Sequence, residues 1–305
     1  MIAIEQIVPL MRAGGYFERV MSGGPELDRV KCFLQICAGE RPNIPPSPGQ
    51  NPHYPCFPGL HHQPWRDPGQ FEAARMLEEN FAVIRDEAIN LPASAPVDYT
   101  PAIAPRRSWR RPWTLLREQP ARRAWTMHLM YHLGVNVEPI TGACPRTMDI
   151  LKALPRACLD YTWGDFVFSA LNPGARLPAH CSIDNLRVRL HLGITTPDHC
   201  AIRVGSEART WRTGECLAFE DSFEHAAWNR SDSRRLVLIA DLWHPDLTDI
   251  EIRALTAAFR KSEIRRTFMR ERLGATDSSA RFLPYIEAAL AAQDDDPVIR
   301  EFWAT

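Results

Sequence analysis

The middle of the chain alternates hydrophobic and polar residues in short runs, a pattern typical of β-strands. Between residues 166 and 242 these runs are FVFSAL, RVRLHLGI, CAIRV, CLAF and RRLVLIADLW, and the turn-forming segments NPG, TTPDH and TGE separate them. Several short strands at this spacing are typical of a β-sandwich or a β-barrel. We therefore predict a mainly β core with flanking helices.

Hydrophobic residues at helical spacing lie on both sides of the predicted β core. Before it, Asp67 and Pro68 form a helix start, and apolar residues then recur every three or four positions up to the next proline. After it, Thr248 and Glu251 form a capping box, which predicts a helix ending near Gly274. The run FLPYIEAALAA predicts one more amphipathic helix.

A segment with nine prolines, residues 42–68, precedes the first predicted helix. Such a density of proline disfavours regular structure and predicts an extended path. Because the segment also contains Phe57, Leu60 and Trp65, we expect it to pack on the domain rather than to act as a flexible linker. The arginine-rich stretch 98–124 predicts a loop with a short element, and a solvated charged face is favoured there over an anion site.

Composition and charge narrow the class of protein. The chain has 305 residues, of which 45% are hydrophobic and 24% charged, so it is long enough to bury a sizeable core. A net charge of −1 argues against a dedicated binder of nucleic acids or of membrane surfaces. No apolar run reaches the ~18 residues that span a bilayer, and the N-terminus lacks the order of a signal peptide. Eight scattered cysteines without a C-x-x-C pair predict reduced thiols, so we expect a cytoplasmic protein.

The predicted strand RVRLHLGI places its charged residues on one face. Its apolar residues share the opposite face from Arg187, Arg189 and His191. An edge strand with its polar face in water would explain this pattern, and so would a barrel lumen that binds an anion through planar guanidinium groups. In RRLVLIADLW, Arg235 shares a face with hydrophobic residues, so it requires a partner if that face is enclosed.

The ten histidines include candidates for metal ligands. His180 follows the turn in NPGARLPAHC, and His225 follows the strand CLAF in FEDSFEHAAWN. Two histidines at opposing strand ends can donate two imidazoles to one divalent metal, although two structural histidines would give the same spacing. His128 and His132 have an i, i+4 spacing near a predicted helix but lack the H-E-x-x-H motif, so we interpret them as structural. The same interpretation applies to the histidines of the proline-rich segment, His53, His61 and His62.

Several runs of the chain, taken in order, resemble one family of enzymes. The runs are FSALNPGARLPAHCSIDNLRVRLHLGI, WRTGECLAFEDSFEHAAWN and RRLVLIADLWHPDLT, preceded by FPGL, LEENFAVIRDE and CPRT, and they extend over about two thirds of the chain. They resemble the aspartyl/asparaginyl β-hydroxylase family, whose members are iron(II)- and 2-oxoglutarate-dependent oxygenases. The resemblance implies a double-stranded β-helix, a cupin-like jelly roll whose lumen holds the iron.

The resemblance also implies an activity and a domain organisation. With Fe(II), 2-oxoglutarate and O2, the protein would hydroxylate an unactivated carbon of an amino acid or an amino-acid-derived substrate, and succinate and CO2 would be the coproducts. The substrate could be a small molecule, a peptidyl or carrier-bound residue, or a biosynthetic intermediate. We expect a single oxygenase domain over 1–305, with a helical and proline-rich part at 1–150, the core and iron site at 160–247, and helices at 248–305.

By motif position, His180 and His225 are the implied iron-binding residues. Many such oxygenases carry an acid two residues after the first histidine, but here that position is Ser182, which cannot act as an anionic ligand. Water, Asp184 and Asp221 are the candidates for the third ligand. We expect Asp221 to orient an imidazole or that water, and we count it among the catalytic residues.

The resemblance further implies the residues that hold 2-oxoglutarate and the substrate. Arg235, helped by Ser169, would pair with the distal carboxylate of 2-oxoglutarate. Arg189 and His191 would contact its other carboxylate end. Arg187 falls where the family binds an acidic substrate side chain.

Three residues near the implied iron site depart from the family pattern. Asp184 stands before Asn185 where a threonine is more common, Glu220 replaces an aspartate before Asp221, and Ala226 replaces an acid after the second histidine. These changes leave room for a substrate other than peptidyl aspartate.

Other functions stay open on the sequence alone. A dicarboxylate-binding β-barrel without turnover would keep the arginines and would not need a histidine pair. Halogenation or desaturation would use the same iron site, whereas a zinc hydrolase on the same histidines would act without O2. The sequence leaves the oligomeric state open.

Overall fold

The computed structural model describes residues 4–91, 97–98, 125–132, 134–137, 140–272, 287, 290 and 296–304, and its centre is a pair of antiparallel β-sheets. We number the strands in chain order. They are β1 (Trp65–Arg66), β2 (Val97–Asp98), β3 (Trp125–His132), β4 (Val135–Asn136), β5 (Phe166–Leu171), β6 (Arg176–His180), β7 (Arg187–Thr195), β8 (Cys200–Val204), β9 (Glu207–Arg209), β10 (Cys216–Phe219), β11 (His225–Asn229) and β12 (Arg235–Trp243).

The described helices precede and follow the strands from β5 to β12. The α-helices are Ile7–Ala13, Tyr16–Met21, Asp28–Cys37, Glu72–Glu79, Phe81–Ile89, Ile140–Ala143, Pro145–Ala153, Asp249–Arg260, Ser262–Arg272 and Pro297–Phe302. Short 3-10 helices lie at Ile4–Gln6, Pro25–Leu27 and Pro68–Gln70. None of the helices that the structure describes combines the length and the apolar composition needed to cross a membrane.

The path of the chain between the two sheets identifies the fold. The larger sheet has the order β1-β10-β7-β12-β5-β3-β2, with β4 paired to β3, and the smaller sheet has the order β6-β11-β8-β9. From β5 to β12, the chain crosses back and forth between the two sheets, so that β5, β7, β10 and β12 face β6, β8, β9 and β11. This winding of eight strands is a jelly roll of the double-stranded β-helix type. The predicted mainly β fold with flanking helices is therefore confirmed.

The position of β7 decides between the two interpretations of its polar face. This strand pairs with β10 on one side and with β12 on the other, so it is not an edge strand. Phe219 lies opposite Arg189 in the register and therefore shares its face, and the Phe219 ring centroid is 6.1 Å from that of His225 in the smaller sheet. The polar face of β7 thus points into the lumen between the sheets.

The proline-rich segment packs along the rim of this barrel, as predicted. Phe57 is fully buried, and Leu60 and Trp65 are buried as well. Backbone hydrogen bonds join the segment to the loop after β6, including one of 2.7 Å from the Tyr54 amide to the Ile183 carbonyl. Its last residues form β1, which pairs with β10. The segment is therefore an integral wall of the barrel near the ends of β6 and β10.

Several local predictions require correction. The helix predicted after Pro68 is divided at Asn80, whose side-chain amide donates a hydrogen bond to the Met76 carbonyl and terminates the first part. His128 and His132 belong to strand β3 and not to a helix, because their run WTMHLMYH pairs with β5. The strands β6 and β11 were also missed by the sequence pattern.

The C-terminal part begins as predicted. Thr248 and Glu251 form both hydrogen bonds of the capping box, at 3.4 Å and 2.9 Å, and they start helix Asp249–Arg260. The helix is divided at Lys261, after which Ser262–Arg272 continues. The predicted end near Gly274, most of the run FLPYIEAALAA and most of the arginine-rich stretch 98–124 lie outside the described residues. None of the eight cysteines forms a disulfide bond in the structure, and the expectation of reduced thiols stays a prediction.

Candidate active site

Two imidazoles meet at the end of the smaller sheet. His180 is the last residue of β6, and His225 is the first residue of β11. The two residues lie directly opposite each other in the antiparallel register, and their ring centroids are 4.1 Å apart. The pairing of β6 with β11 therefore brings together the two histidines that the sequence analysis selected.

The hydrogen bonds of the His180 and His225 rings define which nitrogen of each ring carries the proton and which keeps its lone pair. Nδ1 of His180 lies 2.8 Å from the Pro178 carbonyl, and Nδ1 of His225 lies 2.9 Å from the Phe223 carbonyl. Because a carbonyl oxygen can only accept, each Nδ1 carries the proton and each Nε2 keeps its lone pair. Burial lowers the pKa of both imidazoles, that of His180 to about 3, with a further contribution from His225. Both rings are thus neutral in the tautomer that binds a metal through Nε2.

Asp221 is a buried carboxylate close to this pair. It follows β10, is 1% exposed, and its Oδ2 lies 3.2 Å from Nη1 of Arg189. Burial raises the pKa of Asp221, but the charges of Arg189 and Arg187 outweigh it, so the pKa is lowered and the group stays ionised. The Ser182 side chain also contributes a hydrogen bond that lowers the pKa of Asp221, although neither carboxylate oxygen has a donor of ideal geometry among the described residues. An ionised carboxylate has about four lone-pair sites, so Asp221 keeps capacity to accept a further hydrogen bond from a water molecule near the imidazoles.

A network of buried charges continues from Asp221 along the polar face of β7. Arg189 donates to both carboxylate oxygens of Asp241 at 2.8 Å and to Asp165 at 3.2 Å. Arg187 donates to Asp241 at 2.6 Å. The network contains two guanidinium groups and four carboxylates, so its formal charge is −2 when all six groups are ionised; burial raises the pKa of one of these carboxylates, Asp241, which makes its ionised form less favourable. Its carboxylates are those of Asp165, Asp184, Asp221 and Asp241.

This excess of negative charge bears on the choice of ligand. Buried charge without a compensating partner is strongly unfavourable. A divalent cation bound by the two adjacent imidazoles would balance the two excess carboxylates. The site therefore suits a divalent metal for two reasons. Both histidines have an Nε2 lone pair available, and the surrounding groups carry an excess of negative charge.

Arg235 is a buried cation with no acidic partner. The residue is 3% exposed, its Cζ lies 4.7 Å from the centre of the Trp211 ring, and Nη1 reaches the Ser169 carbonyl at 3.4 Å. Among the described residues it forms no ion pair, and its Nε has no hydrogen-bond partner. Burial lowers the pKa of Arg235 to about 10, so the group remains charged at neutral pH. A buried guanidinium without a counter-ion indicates an anionic ligand.

His191 and Ser169 add uncharged donors beside Arg235. Trp211 donates to Nδ1 of His191 at 3.2 Å, so the proton of this ring is on Nε2, which has no partner among the described residues. Burial, and then the charges of Arg235 and Arg189, lower the pKa of His191, which keeps the ring neutral. The Ser169 hydroxyl accepts a hydrogen bond of 2.9 Å from Trp125 and retains its own proton to donate. Together these groups form a site for a carboxylate.

The structure thus brings together most of the predicted site residues. His180, His225 and Asp221 lie at one end, which we call the candidate metal end, and Arg235, Ser169 and His191 lie at the other, which we call the candidate anion end. The Phe219 ring lies between them, with His191 edge-to-face at 4.9 Å and His225 tilted at 6.1 Å between ring centroids. Arg189 and Arg187 differ from the expectation, because their donors already have carboxylate partners. The expected contacts of Arg189 with the cosubstrate and of Arg187 with the substrate stay predictions. Such contacts would have to use guanidinium nitrogen atoms that already contact carboxylates of the protein.

The sequence analysis missed a second buried cluster. His62, interpreted there only as structural, donates to Glu220 at 2.6 Å, and the ligand atoms of His62, Glu220 and His244 lie within 4.8 Å of one another. However, Nη2 of Arg66 lies 2.6 Å from Glu220 and 2.8 Å from Nε2 of His244. The guanidinium therefore occupies the place where a metal would bind. We interpret the cluster as an ion-pair network that ties the proline-rich segment to the residue before Asp221.

Comparisons with known proteins identify the family to which the sequence is similar. A family model described as "Aspartyl/Asparaginyl beta-hydroxylase" matches residues 78–245. The human protein "Aspartyl/asparaginyl beta-hydroxylase" is 33% identical over 203 residues, which are 65% of this chain and 25% of that protein. Human "Aspartate beta-hydroxylase domain-containing protein 1" is 33% identical over 251 residues, which are 80% of this chain and 57% of that protein. The chain therefore spans less than two thirds of either relative.

Solved structures with a similar arrangement are more distant. The Cupin_2 domain of an XRE family transcriptional regulator from Enterobacter cloacae is 18% identical, with coverage of 26% of this chain and 81% of that chain and a TM-score of 0.24. A predicted oxalate decarboxylase from Thermotoga maritima is 10% identical, with coverage of 39% and 80% and a TM-score of 0.25. The assignment of the fold rests on the strand winding described above.

Proposed function

The chain belongs to the aspartyl/asparaginyl β-hydroxylase family, and from this premise we propose that it is an iron(II)- and 2-oxoglutarate-dependent dioxygenase. Its substrate is an amino acid or an amino-acid-derived compound, which it hydroxylates at an unactivated carbon. The observation that carries the proposal is the juxtaposition of two imidazoles with free Nε2 atoms and a buried guanidinium without a counter-ion.

The two histidines hold the metal in this proposal. The carbonyls of Pro178 and Phe223 fix the rings of His180 and His225 so that both Nε2 lone pairs are available. Asp221 orients a water molecule at the metal, because its buried, ionised carboxylate keeps acceptor positions beside its contacts with Arg189 and Ser182. Two histidines without a protein carboxylate ligand leave positions for the cosubstrate and for O2.

The contacts of Asp184 argue against this residue as the third ligand. Its two oxygens accept hydrogen bonds from the Leu186 amide at 3.0 Å and from the Tyr161 hydroxyl at 2.9 Å. A third donor, Nε of Arg187, lies 3.2 Å away. A carboxylate held by three donors has little freedom to turn toward a metal.

The cosubstrate is bound at the other end of the lumen. Arg235 and the Ser169 hydroxyl bind one carboxylate of 2-oxoglutarate, and the Nε2–H of His191 donates to an oxygen of the same ligand. The aromatic rings of Trp211 and Phe219 line this region and exclude water, which strengthens each of these polar contacts. When bound, iron and 2-oxoglutarate supply the oxidising chemistry: O2 is consumed, CO2 and succinate leave, and one oxygen atom enters a substrate C–H bond as a hydroxyl.

Anaerobic titration of the protein with Fe(II) and 2-oxoglutarate, followed by addition of O2, tests the proposal. We expect a visible charge-transfer band on titration and succinate on addition of O2. The variants His180→Ala and His225→Ala should lose both signals, because each removes one of two protein ligands. His61→Ala is the matched control, since the His61 side chain is 94% exposed and is ion-paired only at the surface.

The other outcomes separate the alternative functions. Full succinate formation in either variant of the iron-binding pair would contradict the assignment of the site. Tight binding of 2-oxoglutarate by the wild-type protein, without succinate in the presence of O2, would instead identify a dicarboxylate-binding protein. A screen of free, peptidyl and carrier-bound amino acids for stimulated succinate formation would then define the substrate, and mass spectrometry would distinguish hydroxylation from halogenation or desaturation.

A further inference from the structure

The pairing of Arg187 with Asp184 has a consequence for the substrate. Arg187 is 3% exposed and belongs to the charged network beside Asp221, whose Oδ2 lies 3.9 Å from its Nη2. Its Nε donates to Asp184 at 3.2 Å, and its Nη1 donates to Asp241 at 2.6 Å. Burial by itself would lower the pKa of Arg187, but the carboxylates, with Asp184 contributing most, raise it. The guanidinium is therefore already neutralised by the protein.

Asp184 cannot easily release Arg187. Its Oδ1 accepts the backbone amide of Leu186, two residues further along, which is a local turn of the kind that aspartate forms readily. Its Oδ2 accepts the hydroxyl of Tyr161, a side chain that is 1% exposed and packs on Trp243 at 4.5 Å between ring centroids. The carboxylate is thus held in place before any substrate arrives.

The cations near the candidate metal end are consequently all engaged. Arg187 and Arg189 are paired with carboxylates of the network. Arg235 is the buried cation with no ion pair among the described residues, and the proposed function assigns it to 2-oxoglutarate. A bound divalent metal would only balance the formal charge of −2 that the network already carries. A substrate carboxylate entering here would therefore find no unpaired cation among the described residues and would meet several like charges, which disfavours binding.

We propose that Asp184 is a specificity-determining residue: together with Asp241 it compensates the charge of Arg187, and it thereby excludes target side chains that carry a carboxylate and admits an uncharged side chain. The proposal rests on the proposed function, since it concerns the substrate of the same site. It assigns to this chain a preference opposite to the acidic side chain that the family pattern at Arg187 implies.

The variant Asp184→Asn removes the charge and keeps the shape of the residue. Its amide oxygen can still accept the Leu186 amide, and the Tyr161 hydroxyl can turn to accept from the new NH2 group. Asp198→Asn is the matched control, because it removes one exposed carboxylate outside the network. The double variant Asp184→Asn, Arg187→Gln tests whether any gain depends on the guanidinium, whose charge Asp184 no longer compensates in the single variant.

The experiment compares acid and amide probes on the protein loaded with Fe(II) and 2-oxoglutarate. The probes are L-aspartate and L-asparagine, L-glutamate and L-glutamine, and two peptides that differ in one central aspartate or asparagine. Binding is measured by calorimetry without O2, and succinate formation is measured separately with O2. We expect the wild type to prefer the amide of a pair, and Asp184→Asn to shift the acid-to-amide ratio of affinities roughly tenfold toward the acid, about 1.4 kcal/mol.

The gain should be absent in Asp198→Asn and should be lost in the double variant. Equal or better binding of the acid by the wild type would overturn the proposal. An unchanged acid-to-amide ratio of affinities in Asp184→Asn would also overturn it. The same holds if that variant binds none of the acids although its thermal unfolding shows that it is folded. Failure of the proposed function can be distinguished from failure of the specificity proposal. The former would appear as absence of succinate with every probe, whereas the binding ratios are measured without turnover.

Discussion

Replacement of Arg235 by methionine should stabilise the ligand-free protein and abolish its response to 2-oxoglutarate. Arg235 is 3% exposed and has no ion pair among the described residues. Burial lowers its pKa to about 10, and compared with an unperturbed guanidinium this corresponds to a cost of ~3 kcal/mol for keeping the charge in the folded state. Because the folded pKa lies below that of the unfolded chain, this cost is present at neutral pH and disappears only above the unfolded pKa.

Methionine removes the buried charge and fills much of the same space. The variant also loses the stacking of the guanidinium on Trp211, whose contribution is ~1–2 kcal/mol for a desolvated pair. The expected net effect is therefore an increase of ~1–2 kcal/mol in the free energy of unfolding of the ligand-free protein, measured by urea denaturation.

With Fe(II) and 2-oxoglutarate in the absence of O2, the order of stability should reverse. A ligand at a hundred times its dissociation constant stabilises the folded state by ~2.7 kcal/mol, and this gain should be confined to proteins that retain Arg235. Arg230→Met is the matched control, since Arg230 stacks on Trp228 at 5.5 Å but is exposed. It should change stability by less than ~0.5 kcal/mol and keep the response to 2-oxoglutarate.

A ligand-free Arg235→Met protein that is less stable than the wild type would contradict the argument that the guanidinium is held at a cost. Equal stabilisation of the variant and the wild type by 2-oxoglutarate would contradict the assignment of Arg235 to the anion site.

The remaining predictions concern the second cluster and the C-terminal helix. Burial raises the pKa of Glu220, but hydrogen bonds from His244 and His62 lower it to about 2, so its contribution to stability is present above the ordinary carboxyl pKa and is lost as the pH falls toward about 2. Glu220→Gln should therefore lower the free energy of unfolding at pH 5 by ~3 kcal/mol and should flatten its dependence between pH 5 and pH 3, and an unchanged slope would refute this reasoning. Thr248→Ala removes the N-cap of helix Asp249–Arg260 and should cost ~1 kcal/mol in urea denaturation; unchanged stability would show that the capping box contributes nothing.

The elements that could be predicted from the sequence have strong local signals. Strand β7 alternates polar and apolar residues from Arg187 to Leu192, and β5, β8, β10 and β12 are short apolar runs bounded by turn residues. The capping box at Thr248 is likewise a local pattern that needs no tertiary contact to be recognised.

The missed strands lack such signals. Strand β6 has the sequence RLPAH, and its proline argues against a strand unless the strand lies at the edge of a sheet, which is where the structure places it. Strand β11 has the sequence HAAWN, which is short and contains no clear alternation. The two strands that carry the candidate metal ligands His180 and His225 were therefore hard to predict from local sequence.

The candidate site was identified from the order of sequence motifs rather than from geometry. Its two histidines converge because β6 and β11 pair in one particular register. The partners of Arg187 and Arg189 were not foreseen, since Asp241 lies more than fifty residues away and reaches them only because β12 pairs with β7. The cluster around Glu220 joins three distant segments of the chain and has no pattern in the sequence.

By itself, the sequence determined that the chain folds around short strands and that one of them presents arginines and a histidine on a single face. This follows because the pleat of a strand is a local property that repeats every two residues. Only the tertiary structure decided that carboxylates neutralise those arginines, whereas Arg235 on the neighbouring strand β12 has no ion pair among the described residues. That difference depends on strand register and burial, and both are set by contacts between residues that are far apart in the chain.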